Sequence, residues 1–245
     1  MRNIEIAVLN PEGIETAERT LLAAARLTQR GHKINDLNDF MDLYNKDIDH
    51  GLVENLCKLP HVTLQKFAVI NVIVIGLSRR ALAQLTRHQN EVKFMAGSLQ
   101  YSDYSEAQRY VIPPELSADA EGVIKDFYKE ASDSYDWLVA HGVDPDDAGY
   151  VMPQGFRTCL LISATPYQWK HMISQRSCRR NTPEVRYIMM RIWEKLRAAS
   201  PALFKNCGPD CAQDKCREGR MTCAKKFTSL ELEKFMLERK AEDKE

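Results

Sequence analysis

The stretch Arg79–Ser102, which reads RRALAQLTRHQNEVKFMAGSLQYS, changes character halfway along and decides how the rest of the chain is interpreted. In its first half, apolar residues recur at three-to-four spacing, which predicts a helix. On such a helix Gln84, Arg87 and His88 share one face. In the second half, Ala96–Ser98 brings in small residues, which let a backbone approach a ligand closely.

The chemistry of this stretch suits a phosphorylated ligand that contains a ring. Arg87 offers a planar fork of donors, His88 adds an imidazole, and Ser98 adds a hydroxyl. The alternative interpretation is a surface helix whose arginine and histidine are simply solvated. Residues elsewhere in the chain must decide between the two.

Charge and composition bound the class of protein. The 34 basic and 34 acidic residues give a formal net charge of zero, so we expect no nucleic-acid partner and no anionic membrane partner. The longest apolar run, Val69–Leu77, contains Asn71 and is too short to span a bilayer. No signal peptide is visible, and seven cysteines without one favour thiols or metal over disulfides. We therefore expect a cytoplasmic protein.

The remaining pattern predicts strands mixed with long helices. Strands are predicted over Ile4–Leu9 and Phe67–Leu77, and His61–Leu64 is predicted to open the β-rich segment. Helices are predicted over 15–30, within 35–55, over 117–141 and from 167 to about 200, while Cys159–Thr165 predicts a strand or the start of a helix. Ser78 and Ser117 are the expected N-caps.

A second informative stretch, Tyr167–Arg191, is unusually basic. Five arginines lie between positions 176 and 191, and Glu184 is the one acidic residue among them. A solvated helix of a neutral protein usually interleaves more acidic residues, so the pattern favours a helix that binds an anion or a ring. His171 and Arg176 are the candidate ligand contacts. The alternative is a basic helix that faces solvent.

Four cysteines cluster near the carboxy terminus, namely Cys207, Cys211, Cys216 and Cys223. Four thiolates in a short, turn-rich segment are able to close a tetrahedral zinc site. The intervals of three, four and six residues between them differ from the common two-residue spacing, so a reduced cysteine-rich loop or a disulfide pair stays open as an alternative.

The stretch around Arg87 resembles the signature of the flavin-dependent thymidylate synthases. That family carries Arg-His-Arg, seven variable residues and then Ser-x-Arg-Tyr-Ser. This chain has Arg87-His88-Gln89, eight residues, and then Ser98-Leu99-Gln100-Tyr101-Ser102. Two glutamines therefore stand at arginine positions of the family.

Three further segments match the family in order. His61 and Thr63 fit a His-x-Ser/Thr pair that helps to hold the flavin, although Lys66 stands at the acidic position after it. Arg176, Arg180 and Glu184 fall on a family series of Arg, His and Glu, and His171 stands where the family has a flavin-contacting Asn. A phosphate-binding arginine of the family is replaced here by glycine at position 149, and Arg157 is the nearest guanidinium.

The resemblance implies an α/β (α+β) fold with a central, mostly antiparallel sheet flanked by long helices. It implies a homotetramer, FAD, NADPH, methylenetetrahydrofolate as co-substrate, and methyl transfer to dUMP. By analogy, the expected flavin contacts are His61, Thr63, Arg87, His88, Gln89, His171 and Arg180. The expected nucleotide contacts are Gln84, Ser98, Leu99, Gln100, Arg157 and Arg176, and Arg176 has the catalytic role of stabilising charge on the uracil ring.

The domain boundaries and two alternatives complete the expectations. We expect a synthase-like domain over 1–205, a cysteine-rich segment over 206–226 and a charged helix or tail over 227–245. Because neutral residues replace three arginines of the family, a flavoenzyme that modifies another pyrimidine nucleotide is a live alternative. A non-catalytic, zinc-stapled nucleotide- or RNA-binding protein is the other, although the neutral charge balance argues against it.

Overall fold

A computed structural model describes residues 4–105, 109–113, 116–214, 216–228 and 231–232. Its strands are β1 (Glu5–Val8), β2 (Ile70–Ser78), β3 (Val92–Ala96) and β4 (Arg157–Ala164). Its helices are α1 (Pro11–Arg30), α2 (Leu37–Tyr44), α3 (His50–Lys58), α4 (Arg79–Leu85), α5 (Ala118–Ala140), α6 (Pro145–Ala148), α7 (Pro166–Arg176), α8 (Pro183–Ala199) and α9 (Pro201–Phe204). Much of the predicted charged tail, at 229–230 and 233–245, lies outside the described residues.

The four strands form one antiparallel sheet in the order β1-β2-β4-β3. Val72 of β2 and Phe94 of β3 both pair with Ile162 of β4, which fixes the register across the centre of the sheet. The predicted α/β fold with a mostly antiparallel sheet is therefore confirmed.

One face of the sheet carries the hydrophobic core. Alternate residues of β2 and β4, including Val72 and Ile162, are fully buried there against α1, α7 and α8. Trp169 of α7 lies in this core, and its indole N–H donates to the Ile70 carbonyl over 3.0 Å. The buried stripe explains why β2 reads as a dense run of valine and isoleucine.

Apolar side chains on the outer surface are exposed in the single chain. On the sheet, Ile75 and Met95 are exposed, the latter by 72%. On α5, Phe127 and Trp137 are exposed although their spacing resembles that of a core face, and the helix buries Tyr135 instead. Large apolar side chains are thus exposed on both elements.

Three local predictions were wrong. Residues Val62–Gln65 form a 3-10 turn rather than a strand, because Leu64 and Lys66 bond back to carbonyls three residues earlier. Helix α4 ends at Leu85, and the chain then turns through Glu91, which has a positive φ of 55°, into β3. Gln84 therefore does not share a helix face with Arg87 and His88.

The basic stretch forms two helices rather than one. Helix α7 ends at Arg176, and α8 begins at Pro183, whose ring fixes φ and suits the first turn of a helix. Asn181 holds the connection between them, since its side-chain amide donates to the Gln175 carbonyl over 2.7 Å. Arg176 therefore lies at the end of a helix, where its side chain leaves the helix surface.

Glu184 ties the start of α8 to the start of α4. Its carboxylate accepts from both the backbone N–H and the hydroxyl of Ser78, each over 2.6 Å, and Ser78 is 2% exposed. The same hydroxyl accepts from the Ala81 N–H, so Ser78 is the N-cap of α4 as predicted. This contact fixes α4 relative to α8, on either side of the site described below.

Replacing Glu184 with Ala is expected to lower the free energy of unfolding by about 2 kcal/mol, because it leaves the buried Ser78 N–H without its acceptor. Urea denaturation of both proteins measures the change. Glu121→Ala is the matched control, since Glu121 makes only an exposed ion pair with Lys125 on α5. Equal stability of the two variants would show that the Ser78 contact contributes nothing.

Candidate functional site

The site is centred on a contact between Arg176 and His88, which are far apart in sequence. The Arg176 Nε–H donates to His88 Nε2 over 2.9 Å, and Nη1 lies 3.4 Å from the Asn181 side-chain oxygen. Among the described residues, the remaining terminal nitrogen of Arg176 has no hydrogen-bond partner. The end of α7 and the turn after α4 thus meet at one guanidinium.

His88 is held in its neutral form at this contact. It is only 7% exposed, and burial, with Arg176 and His171 nearby, lowers its pKa to about 4. Since Nε2 accepts from Arg176, the ring hydrogen lies on Nδ1, by the logic of the hydrogen bond. His88 therefore presents an N–H donor and adds no charge of its own.

Two more of the expected flavin contacts lie in the same cluster. The ring of His171 meets that of His88 edge to face, with centroids 5.7 Å apart. The pKa of His171 is lowered by burial and then by Arg217, while that of Arg176 is lowered by burial and then by Arg87. Arg87 is thus within electrostatic reach of Arg176, and this cation pair favours an anionic ligand.

Lowering the pH from 7 to 5 is expected to reduce the free energy of unfolding of the wild type by about 2 kcal/mol. The same change of pH should not cause this loss in a His88→Gln variant. The folded pKa of His88 lies below its unfolded value near 6.5, so the unfolded chain binds the extra proton first. The stabilisation is complete above pH 6.5 and is lost as the pH falls towards 4. Urea titrations of both proteins at the two pH values measure the difference, and parallel losses would contradict the assignment.

Ser98, Leu99 and Gln100, three of the expected nucleotide contacts, follow the other end of β3. Ser98 accepts from the Gln100 N–H in a tight turn, and a side chain added at Gly97 would meet the Tyr104 hydroxyl at 2.9 Å. Leu99 packs against Gly149, the position of the missing phosphate arginine. Strand β3 separates this turn from His88 by about 15 Å, at about 3.4 Å per residue.

Arg79, the first residue of the stretch Arg79–Ser102, also reaches this second region. Its Nη2 donates to the Gly97 carbonyl over 3.0 Å, while its buried Nε is without a hydrogen-bond partner among the described residues. Arg80 beside it bonds to the Gln154 side chain over 3.0 Å. Arg157 begins β4 opposite Ser78, and the Gly97 N–H donates to the Cys159 carbonyl over 3.1 Å, so the start of β4 lies beside the turn.

The other predicted residues are more dispersed. His61, Thr63 and Gln89 are exposed, and Gln84 lies on α4 before the turn to His88. Arg180 is turned towards the carboxy-terminal segment, where it bonds to the Met221 carbonyl and lies 3.5 Å from the Glu218 carboxylate. Sequence reasoning did not single out Asn181, whose position before Thr182-Pro183 was the available signal.

The predicted metal ligands fall into two places. Cys207 is buried beneath α8 with its thiol donating to the Phe204 carbonyl, and burial raises its pKa to about 12. The other three, Cys211, Cys216 and Cys223, line a separate cavity. Among the described residues, no three His, Cys, Asp or Glu side chains stand ready to hold a metal ion.

The fold combines an antiparallel sheet, a half-buried Arg176 bonded to the buried His88, and a small-residue turn, and this combination suits anionic ligands that contain a ring. A family model described as thymidylate synthase complementing protein matches residues 12–202. The chain therefore belongs to this family of flavin-dependent thymidylate synthases.

Individual relatives carry the name of the same family. A flavin-dependent thymidylate synthase of Geobacter sulfurreducens is 27% identical over 85% of this chain and 89% of its own length. One from Saccharolobus solfataricus is 31% identical over 55% of this chain and 52% of its own length.

Two solved structures share the fold, each with a TM-score of 0.63. One is thymidylate synthase X from Helicobacter pylori with FAD and dUMP, 19% identical over 83% of this chain and 98% of that one. The other is the UMP/dUMP methylase PolB from Streptomyces cacaoi with 5-Br dUMP, 16% identical over 83% of this chain and 93% of that one. In the described part of the chain, no helix is long and apolar enough to cross a membrane.

Proposed function

We propose that this protein catalyses the FAD-dependent reductive methylation of dUMP to dTMP, with methylenetetrahydrofolate as carbon donor and NADPH as reductant. The observation that carries the proposal is the Arg176–His88 contact, which joins the two sequence stretches that resemble the family signature. The donors at this site fit a flavin and a pyrimidine, since both ligands present carbonyl oxygens and ring nitrogens. When bound, the flavin supplies the hydride that completes the new methyl group.

Arg176 has the central role in the proposed chemistry. Its guanidinium stays protonated, and it donates from Nε to His88. This contact orients the guanidinium so that its remaining donors stabilise negative charge on the uracil ring as the new bond to carbon 5 forms. His88 stays neutral and so does not compete with Arg176 for that charge.

The remaining proposed contacts divide between the two ligands. Those assigned to the flavin are His61, Thr63, Arg87, Gln89, His171 and Arg180, along with the N–H of His88. Those assigned to the nucleotide are Gln84, Ser98, Leu99, Gln100 and Arg157. The unpartnered Nε of Arg79 supports a further cationic contact with the phosphate.

We also propose a homotetramer whose subunits share active sites. The turn at Ser98 and the Arg176–His88 contact lie at opposite ends of the five-residue strand β3, which supports contributions from more than one subunit to each site. The exposed apolar side chains of the sheet and of α5, such as Met95 and Phe127, support burial against further copies. We place the protein in the cytoplasm, in keeping with its seven free cysteines.

Titrating the purified protein with FAD tests the proposal. A change in the flavin absorption band and a rise in melting temperature are expected at saturation. Absence of both would overturn the flavin assignment.

A second candidate function is methylation of another pyrimidine nucleotide. Gln89, Gln100 and Gly149 replace three arginines of the family, and PolB, which shares the fold, is named a UMP/dUMP methylase. Turnover of UMP and dUMP by the same preparation separates the candidates, because the ratio of their kcat/KM values measures the preference directly. A higher value for UMP would favour the second candidate.

A further inference from the structure

The carboxy-terminal segment folds back over the connection between α7 and α8. Arg179 in that connection stacks on the Phe227 ring at 3.8 Å and donates to the Lys225 carbonyl over 3.0 Å. Phe227 and Leu232 join the hydrophobic core of the main domain. The segment is thus packed on the domain, and its cysteines are brought beside Cys178, a residue of the connection.

A cavity of about 630 Å³ lies between the carboxy-terminal segment and the connection from α7 to α8. Four cysteines line it: Cys178, Cys211, Cys216 and Cys223. Cys207 faces a different pocket, near His171 and Lys170. Sequence spacing alone grouped Cys207 with the last three, because it ignores the chain that folds against them.

The surroundings of these thiols suit thiolate ligands. The Phe227 N–H donates to the Cys211 sulfur over 3.5 Å. Such N–H···S bonds stabilise the deprotonated sulfur and hold metal ligands in place.

The charges and the backbone geometry around the cavity also favour thiolate ligands for a metal ion. Four thiolates around Zn²⁺ leave two negative charges, which the basic residues of the cavity, among them Arg179 and Lys225, offset. Asp214, Gly219 and Ala224 have positive φ values of 57°, 51° and 54°. One such turn follows each of the three carboxy-terminal cysteines within three residues, which folds the chain tightly around the cavity.

We propose that Cys178, Cys211, Cys216 and Cys223 bind one zinc ion, with Cys178 in the place that the sequence assigned to Cys207. As they stand, the side chains do not form a closed ligand set, so binding includes rotation of the thiols towards a common centre. Cys216 is exposed, and among the described residues its thiol contacts the Thr222 hydroxyl at 3.7 Å, which leaves it able to turn inward.

The ion would tie the carboxy-terminal segment to the chain two residues after Arg176. Zinc bound there restrains the end of α7, from which the guanidinium reaches His88. This consequence for catalysis rests on the proposed function, whereas the metal site itself does not.

Metal analysis of the full-length protein, purified in reductant without chelator, tests the site. We expect one zinc per chain, and we expect alkylation of the native protein to leave Cys178, Cys211, Cys216 and Cys223 unlabelled. Cys178→Ala should lose the zinc, while the matched control Cys207→Ala, which removes a buried thiol outside the cavity, should keep it. Wild-type protein that stays metal-free after one equivalent of zinc, or that holds iron instead, would overturn the proposal.

Differential alkylation followed by peptide mass spectrometry keeps the test decisive if Cys178→Ala fails to fold. In wild-type protein, zinc should protect Cys178 and leave Cys207 as reactive as it is in the metal-free protein. Protection of Cys207 by zinc in place of Cys178 would contradict the assignment. FAD titration of the same samples separates this outcome from failure of the proposed function, because zinc content does not depend on flavin binding.

Discussion

Arg176→Ala is expected to lower kcat about a hundredfold or more while changing FAD affinity much less. Arg176 stabilises charge that develops only as the uracil ring reacts, so its loss raises the activation barrier rather than weakening ground-state binding. Steady-state kinetics with dUMP, alongside FAD titrations, measures both effects.

Two variants serve as controls. One keeps the positive charge at position 176, and the other removes an exposed arginine that has no part in the proposed site. Arg176→Lys keeps a cation but loses the planar fork, and it should recover only part of the rate. Arg30→Ala, on the exposed last turn of α1, should leave kcat unchanged. Wild-type turnover in Arg176→Ala would remove this residue from the mechanism.

Arg157→Gln is expected to raise the KM for dUMP about tenfold or more and to leave FAD affinity unchanged. A nucleotide monophosphate carries close to two negative charges, and burying them without a cation is costly. The family arginine is missing at Gly149, and Arg157 lies near the turn at Ser98 on the adjacent strand. Competition by the uncharged nucleoside deoxyuridine should be equal in wild type and variant, since it carries no phosphate.

Arg79→Gln provides the matched comparison for the phosphate. Its Nη2 contacts Gly97 and its Nε is buried without a described partner, so it is the second cation aimed at the same turn. If Arg79→Gln raises KM and Arg157→Gln does not, the phosphate is bound by the start of α4 instead. If neither variant changes KM, the phosphate site lies elsewhere.

The elements with strong periodicity could be predicted from sequence. Strand β2, helices α1 and α5 and the caps at Ser78 and Ser117 follow local rules, and the structure confirms them. Strand β3 was missed because five residues with Lys93 among them give little alternation, and pairing with β4 stabilises it. The break at Ser177–Thr182 was missed although Pro183 was a visible signal.

The site could be predicted only in part. Arg176 and His88 were each singled out, but the hydrogen bond between them joins residues 88 positions apart, and no local pattern encodes it. The same holds for Glu184 and Ser78, and for Cys178 beside the carboxy-terminal cysteines. Each of these contacts depends on how helices pack, which is set by the core rather than by the residues that make the contact.

The most direct test of the central claim is reconstitution with purified protein, FAD, NADPH, dUMP and methylenetetrahydrofolate labelled at the methylene carbon. Mass spectrometry of the nucleotide should show dTMP that carries the label, and omission of FAD from flavin-free protein should abolish it. Unchanged dUMP in the complete mixture, with FAD bound and the protein folded, would contradict the assignment of this chain as a thymidylate-forming enzyme.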